Sequence, residues 1–131
     1  MATTTATLTL SSGDLTGDAL SLSTTATLTK AGTVTGLDQF TGIARKTFSS
    51  TAQVTLIAKG DYTDDRAHKV YLKNTSTVAT ENLVVTIESQ LLGRLYAGDW
   101  ALLPFNGDQD IKITPSVGTA MTVEYAVIYE A

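Results

Sequence analysis

His68-Lys69-Val70-Tyr71-Leu72-Lys73 alternates strictly, with Val70 and Leu72 on one face and Lys69, Tyr71 and Lys73 on the other. A period of two over such a run is the mark of a half-buried β-strand, and Asn74-Thr75-Ser76 supplies the residues that end it. The same pattern recurs in both directions along the chain. Upstream lie Thr7-Leu8-Thr9-Leu10 before Ser12-Gly13-Asp14, then Leu20-Ser21-Leu22 with Ala26-Thr27-Leu28-Thr29 before Lys30-Ala31-Gly32, and Val54 to Lys59 before Gly60-Asp61. Downstream lie Leu83 to Glu88, Ile111-Lys112-Ile113-Thr114 before Pro115, and Met121 to Tyr129. Short β-branched runs at near-regular spacing predict an all-β chain, a single antiparallel β-sandwich or jelly roll of about 7–9 strands.

No window holds apolar residues at i, i+3, i+4 and i+7 over three turns, so helix is expected to be minor. Leu37-Asp38-Gln39-Phe40 and Leu91-Leu92-Gly93-Arg94-Leu95 come nearest, and both read as connectors because they are short or interrupted by glycine.

The chain has 131 residues, the size of one domain, and about two thirds of its surface can be buried on folding. It divides unevenly. Residues 1–37 hold 12 of the 24 threonines, no aromatic residue and three charges, Asp14, Asp18 and Lys30, whereas all nine aromatics lie from Phe40 onward. Residues 38–131 are therefore expected to form the sandwich body. Residues 1–37 read either as an ordinary edge hairpin or as an arm reaching another chain, since exposed strand edges invite pairing.

Composition excludes several kinds of chemistry. There is no cysteine, hence no disulfide, zinc-thiolate centre, iron–sulfur cluster or thiol nucleophile. A net charge of −4 disfavours nucleic acid and acidic membranes, which need clustered Lys and Arg. The start, Met1-Ala2-Thr3-Thr4-Thr5, has neither a basic segment nor an apolar run, so no Sec export and no membrane span are expected. There is no GxGxxG or GxxxxGK[ST] to cradle a nucleotide.

His68 is the only histidine, and with no second ligand or partner base it reads as a surface residue. The acidic groups Asp61-Tyr62-Thr63-Asp64-Asp65 and Asp99 with Asp108 and Asp110 lack the EF-hand spacing. They read more simply as turns in which Asp accepts bonds from nearby backbone. No catalytic set, metal site or cofactor is therefore expected. Arg45-Lys46 is a small basic spot, either a solvated strand face or a dock for an acidic surface. The most distinctive stretch is Gly98-Asp99-Trp100-Ala101-Leu102-Leu103-Pro104-Phe105-Asn106-Gly107-Asp108. Pro104 confines it to an edge or corner, where it either plugs one end of the sandwich or anchors a partner.

Four segments in the second half, Lys69 to Ser76, Leu83 to Ile87, Gly98 to Phe105 and Val123 to Glu130, together resemble the small β-rich head decoration, or cement, proteins of tailed bacteriophages. The resemblance spans roughly residues 66–130. It implies a virion structural protein, made in the host cytoplasm, that sits as a homotrimer on the outer surface of an icosahedral capsid. There it binds at junctions between major capsid proteins and reinforces the shell, with no reaction catalysed. The residues expected to form interfaces are Trp100, Leu102, Leu103 and Phe105, with Thr7, Leu8 and Leu10 of the arm and Arg45 and Lys46. A phage tail, baseplate or head-fibre component is the neighbouring alternative. A lectin-like module using Trp100 as a stacking platform is the alternative from another class.

Overall fold

The structure is a computed structural model that describes residues 2–131. It is all-β, with eleven strands in three antiparallel sheets and no helix among the described residues. Strands β1 (Thr4–Ser12) and β2 (Leu20–Leu28) pair only with each other. The remaining strands are β3 (Gln39–Phe40), β4 (Ala44–Thr47), β5 (Val54–Ile57), β6 (His68–Asn74), β7 (Asn82–Ile87), β8 (Gln90–Tyr96), β9 (Trp100–Phe105), β10 (Ile111–Pro115) and β11 (Thr122–Tyr129).

Eight of these form the body by nested pairing. β7 pairs with β8, β6 with β9, β5 with β10 and β4 with β11, each pair enclosing the one before it in sequence. Such a ribbon, folded in half at Glu88 and then rolled, gives two sheets in the orders β5-β10-β7-β8 and β4-β11-β6-β9, with β3 prolonging β4 along the same edge of β11. This is the strand order of a jelly roll. Each sheet presents one apolar face to the other, with β5, β8, β9 and β3/β4 at the edges.

The alternation read from sequence is what fills the space between the sheets. Val70, Leu72, Val123, Val127 and Phe105 from one sheet meet Ile57, Leu83, Val85, Ile111, Ile113 and Leu95 from the other in a single cluster. Phe48 and Met121 close one end, and the Phe48 N–H donates to the Met121 carbonyl at 2.8 Å.

Three expectations are corrected. Leu37 to Phe40 and Leu91 to Leu95 are not mere connectors: Gln39–Phe40 is a short strand, and Leu91 to Leu95 lies within β8. β8 escaped notice because a register shift opposite Val85/Thr86 breaks its alternation, leaving Leu91 and Leu92 both exposed on an edge strand. His68 is not on the surface but fully buried. It occupies the inward phase set by Val70 and Leu72, and its polar atoms are satisfied there. Nε2–H donates to the Thr63 carbonyl at 2.9 Å, and Nδ1 accepts the Glu130 N–H at 3.3 Å. Tyr62, Phe105 and Tyr129 surround the ring with centroids 5.6, 6.0 and 6.3 Å away. The histidine is thus a core residue joining three segments. Leu103 and Phe105, expected at an interface, face the core instead.

Candidate functional site

The outward face of the β4-β11-β6-β9 sheet is organised in rows by the strand register. Phe40, Ile128, Lys69 and Pro104 stand side by side; next come Ala126, Tyr71 and Leu102; then Arg45, Glu124, Lys73 and Trp100. The last row holds three of the four charged side chains, Lys69 in the first row being the fourth. Arg45 donates from Nε and Nη2 to the same Glu124 oxygen at 3.1 and 3.0 Å, and Tyr71 Oη donates to the other at 3.2 Å. The hydrogen bond from Arg45 holds the Glu124 carboxyl below the usual carboxylate range. Burial raises the Tyr71 phenol, and its bond to Glu124 adds to this.

Apart from Lys69, the surface beyond that row is apolar. Trp100 and Phe40 are more than half exposed, Ile43 is 65 % exposed and Leu102 38 %. The expected anchor stretch therefore splits by the period of its strand. Trp100 and Leu102 point outward, whereas Leu103 packs against the core and Phe105 belongs to it, buried against Tyr62 and His68. Alternation along β9 assigns the two roles to alternate residues, so the outward set contracts to Trp100 and Leu102.

The β1/β2 hairpin stands over this face. Its register sorts the side chains into two kinds. One face carries Thr4, Ala6, Leu8, Leu10 and Ser12 opposite Leu28, Ala26, Thr24, Leu22 and Leu20; the other carries Thr5, Thr7, Thr9 and Ser11 opposite Thr27, Thr25, Ser23 and Ser21. Thr7 thus belongs to a wholly hydroxyl face, where its Oγ1 lies 3.0 Å from that of Thr25. Leu8 and Leu10 belong to the apolar face.

The root of the hairpin is fixed to the body. Leu28 and Leu37 are buried there, and the Leu37 N–H donates to the Leu28 carbonyl at 3.0 Å. The Ala2 carbonyl lies so close to Gly36 that a Cβ at Gly36 would overlap it. Glu130, a buried carboxylate, accepts the Ala31 N–H at 2.7 Å and approaches Arg66 Nε at 3.3 Å. Lys30 and Asp38 add an ion pair at 2.7 Å, and the hydrogen bond from Lys30 lowers the Asp38 carboxyl. Away from this root the strands bond only to each other.

Between the hairpin's apolar face and the body runs an open groove of about 800 Å³, walled by Ala6, Leu8, Leu10, Thr24 and Ala26 on one side and by Arg94, Leu95, Gly98, Asp99, Trp100 and Leu102 on the other. It continues into a second hollow of about 340 Å³ between Leu28, Phe40, Ile43, Tyr71 and Ile128. Sequence reasoning placed Trp100, Leu102, Leu8 and Leu10 on this surface but missed Phe40 and Ile43. A two-residue strand and its flanking loop carry no periodic signal from which their exposure could be read.

Thr7 also lines the groove, whereas the remaining candidates do not join it. Arg45 is committed to Glu124, and Lys46 is half-buried on β4. The acidic stretches serve turns. Asp99 Oδ2 accepts the Tyr96 N–H at 2.9 Å, and Asp110 Oδ1 accepts the Lys59 N–H at 2.8 Å. Asp65 takes a positive φ of 59° and accepts a bond from Asn106 at 3.2 Å. Among the described residues, no three His, Cys, Asp or Glu side chains converge as a metal-binding group would require. The chain matches no protein-family model, and no curated protein or solved structure is significantly similar to it.

Proposed function

We propose that this chain is a non-enzymatic virion structural protein, a homotrimer that decorates the outside of a tailed-phage capsid at junctions between major capsid proteins. The observation that carries this reading is the groove: a fixed-root hairpin free of charge along its strands, facing an exposed Trp100 and Leu102 across an apolar gap. A contiguous exposed apolar surface of this kind marks a place where protein meets protein. The jelly-roll body supports the reading as well, since this architecture is used in capsid and lectin domains, although fold alone does not assign a role. The segments from 66 to 130 that resemble decoration proteins include β6, β9 and β11, the strands that build the outward face.

The mechanism requires no bond to be made or broken. A protein that binds the assembled shell and not its broken form stabilises the assembled state by its binding free energy, repeated over every copy. An interface of about 1,600 Å² suffices for specific attachment.

The test is addition of the purified protein to preassembled shells that lack it. Saturable occupancy with a raised disruption temperature is expected, and Trp100→Ala should weaken attachment by about 2 kcal/mol while the chain stays folded. Failure to bind shells overturns the proposal. Calcium-dependent binding to glycans by the isolated chain would replace it with the lectin reading, and assembly into rings of six with the tail reading.

A further inference from the structure

We infer that the β1/β2 hairpin is a strap that closes on its own body, seating Leu8 and Leu10 against Trp100 and Leu102, so that the free chain covers the surface by which it attaches. Closure is a property of the chain alone; what it withholds rests on the reading above.

Cover on the hairpin's apolar face fails away from its root. Leu28 is 6 % exposed, Ala6 and Leu8 are half-buried, and Leu10 and Leu22 stand 39 and 44 % exposed. The gap is bounded by the same chain on both sides. Across it from Leu8 and Leu10 lie Trp100, 53 % exposed, and Leu102, 38 %. Two apolar walls thus face each other through water, and joining them removes both from it. The root also tethers them, so they meet at high effective concentration and without the loss of translational freedom that a separate partner incurs.

Charge does not oppose the movement. Neither strand of the hairpin has an ionisable side chain. The facing wall holds two, and both are engaged by the body: Arg94 Nη1 donates to Asn82 Oδ1 at 3.3 Å, and Asp99 Oδ2 accepts the Tyr96 N–H at 2.9 Å. There is also room beside Trp100, since a Cβ at Gly98 would meet nothing within 4 Å.

The hairpin can move because beyond its root the strands bond only to each other, and two-stranded ribbons reach larger twists than wider sheets. Its ladder and the Thr7–Thr25 hydroxyl pair on the outer face stay intact as it does so. Leu28, Leu37 and Glu130 keep the root in place. A partner that needs Trp100 and Leu102 bare binds only the open form, so its apparent affinity falls with the fraction of chains that are open.

Trp100 is the only tryptophan and the chain has no cysteine, which gives two clean probes. The first is acrylamide quenching of Trp100 in the full chain, free in solution at several concentrations, with amide exchange in β6 and β11 as the measure of a folded body. The wild type is expected to be quenched severalfold more slowly than Leu8→Ser with Leu10→Ser, and Thr9→Ala with Ser23→Ala, on the hydroxyl face, to match the wild type. The second probe is Leu10→Cys with Leu102→Cys, which decides the matter should the serine pair loosen the hairpin itself. Mild oxidation is expected to join the two cysteines within one chain, and to leave Thr9→Cys with Leu102→Cys reduced. The joined chain is expected to lose attachment to shells and to regain it on reduction. Equal quenching of the wild type and the serine variant overturns closure. So does protection of Trp100 that grows with concentration, which belongs to a contact between chains, and so does a cysteine pair that joins no faster than its hydroxyl-face control. A joined chain that attaches as well as the reduced one overturns the inference that the strap withholds the surface. Closure as expected, with no form of the chain adding to shells, leaves the strap standing and overturns the capsid reading alone.

Discussion

β6 and β2 obey the same period of two and meet opposite fates. In β6 every second residue, from His68 to Asn74, is buried; in β2 only Leu28, at the root, is buried, although Leu20 and Leu22 alternate with serines just as regularly. The difference is what lies opposite. β6 has a second sheet packed against its apolar face, supplied by the nested pairing of the body, whereas the hairpin's apolar face looks across an open groove. Alternation determines which side chains share a face, but only a facing layer turns that face into a core.

Mutations can break this comparison or sharpen it. The largest effect is expected from Leu72→Ala, which empties a fully buried site and should cost about 2–5 kcal/mol in denaturant unfolding. Leu22→Ala, measured where the chain is monomeric, should cost less than about 1 kcal/mol because nearly half of the residue is already exposed to water. Equal losses would mean that the hairpin has a core of its own.

His68→Ala comes next. It strands the Thr63 carbonyl and the Glu130 N–H and opens a space among three aromatic rings, for an expected loss of about 2–4 kcal/mol. The hairpin counterpart is Thr25→Val, which deletes an exposed hydroxyl bond and should be close to neutral in thermal melting.

Backbone substitutions should follow the same order on a smaller scale. Gly107 holds a φ of +101°, and a Cβ there would stand 2.5 Å from the Thr63 carbonyl oxygen. Gly107→Ala should therefore lower stability by about 1–3 kcal/mol. Gly13, in the hairpin loop, has open space around it and no positive φ, so Gly13→Ala should leave the melting temperature unchanged.

The smallest effect is that of acid. Hydrogen bonds from Arg45 and Lys30 lower the carboxyls of Glu124 and Asp38 in the folded state. A lowered folded value means that the unfolded chain binds protons first. Stability from these pairs is therefore complete above the ordinary carboxylate value of about 4 and is lost as pH falls through the depressed values. A slight fall in melting temperature is expected as the pH drops below about 4. Glu124→Gln should remove the part belonging to the body sheet, and Asp38→Asn the part belonging to the hairpin root. Both pairs are exposed to solvent, so both contributions are expected to shrink in high salt.

Much of the fold was legible because the inward residues of the body keep strict phase. Val70 with Leu72 and Ile111 with Ile113 declare their face, and extending the first of these phases by two residues places His68 inside. The surface assignment of His68 followed its residue type and its basic neighbours instead, and the buried position follows the phase. Where phase is broken, reading failed. The bulge at Val85/Thr86 hides β8, and Gln39–Phe40 is too short to show a period. In the anchor stretch, the residue types marked an edge and the phase of β9 then divided core from surface.

The sequence by itself determined most of the strands and the separation of a threonine-rich, sparsely charged arm, because these depend on the pattern of residues a few positions apart. The groove was decided by the tertiary structure alone. Its walls come from residues near 8, 26, 94 and 100, brought together by a rolled ribbon and a root locked by Glu130. No local pattern encodes contacts across such separations, since they exist only once the sheets have closed on one another.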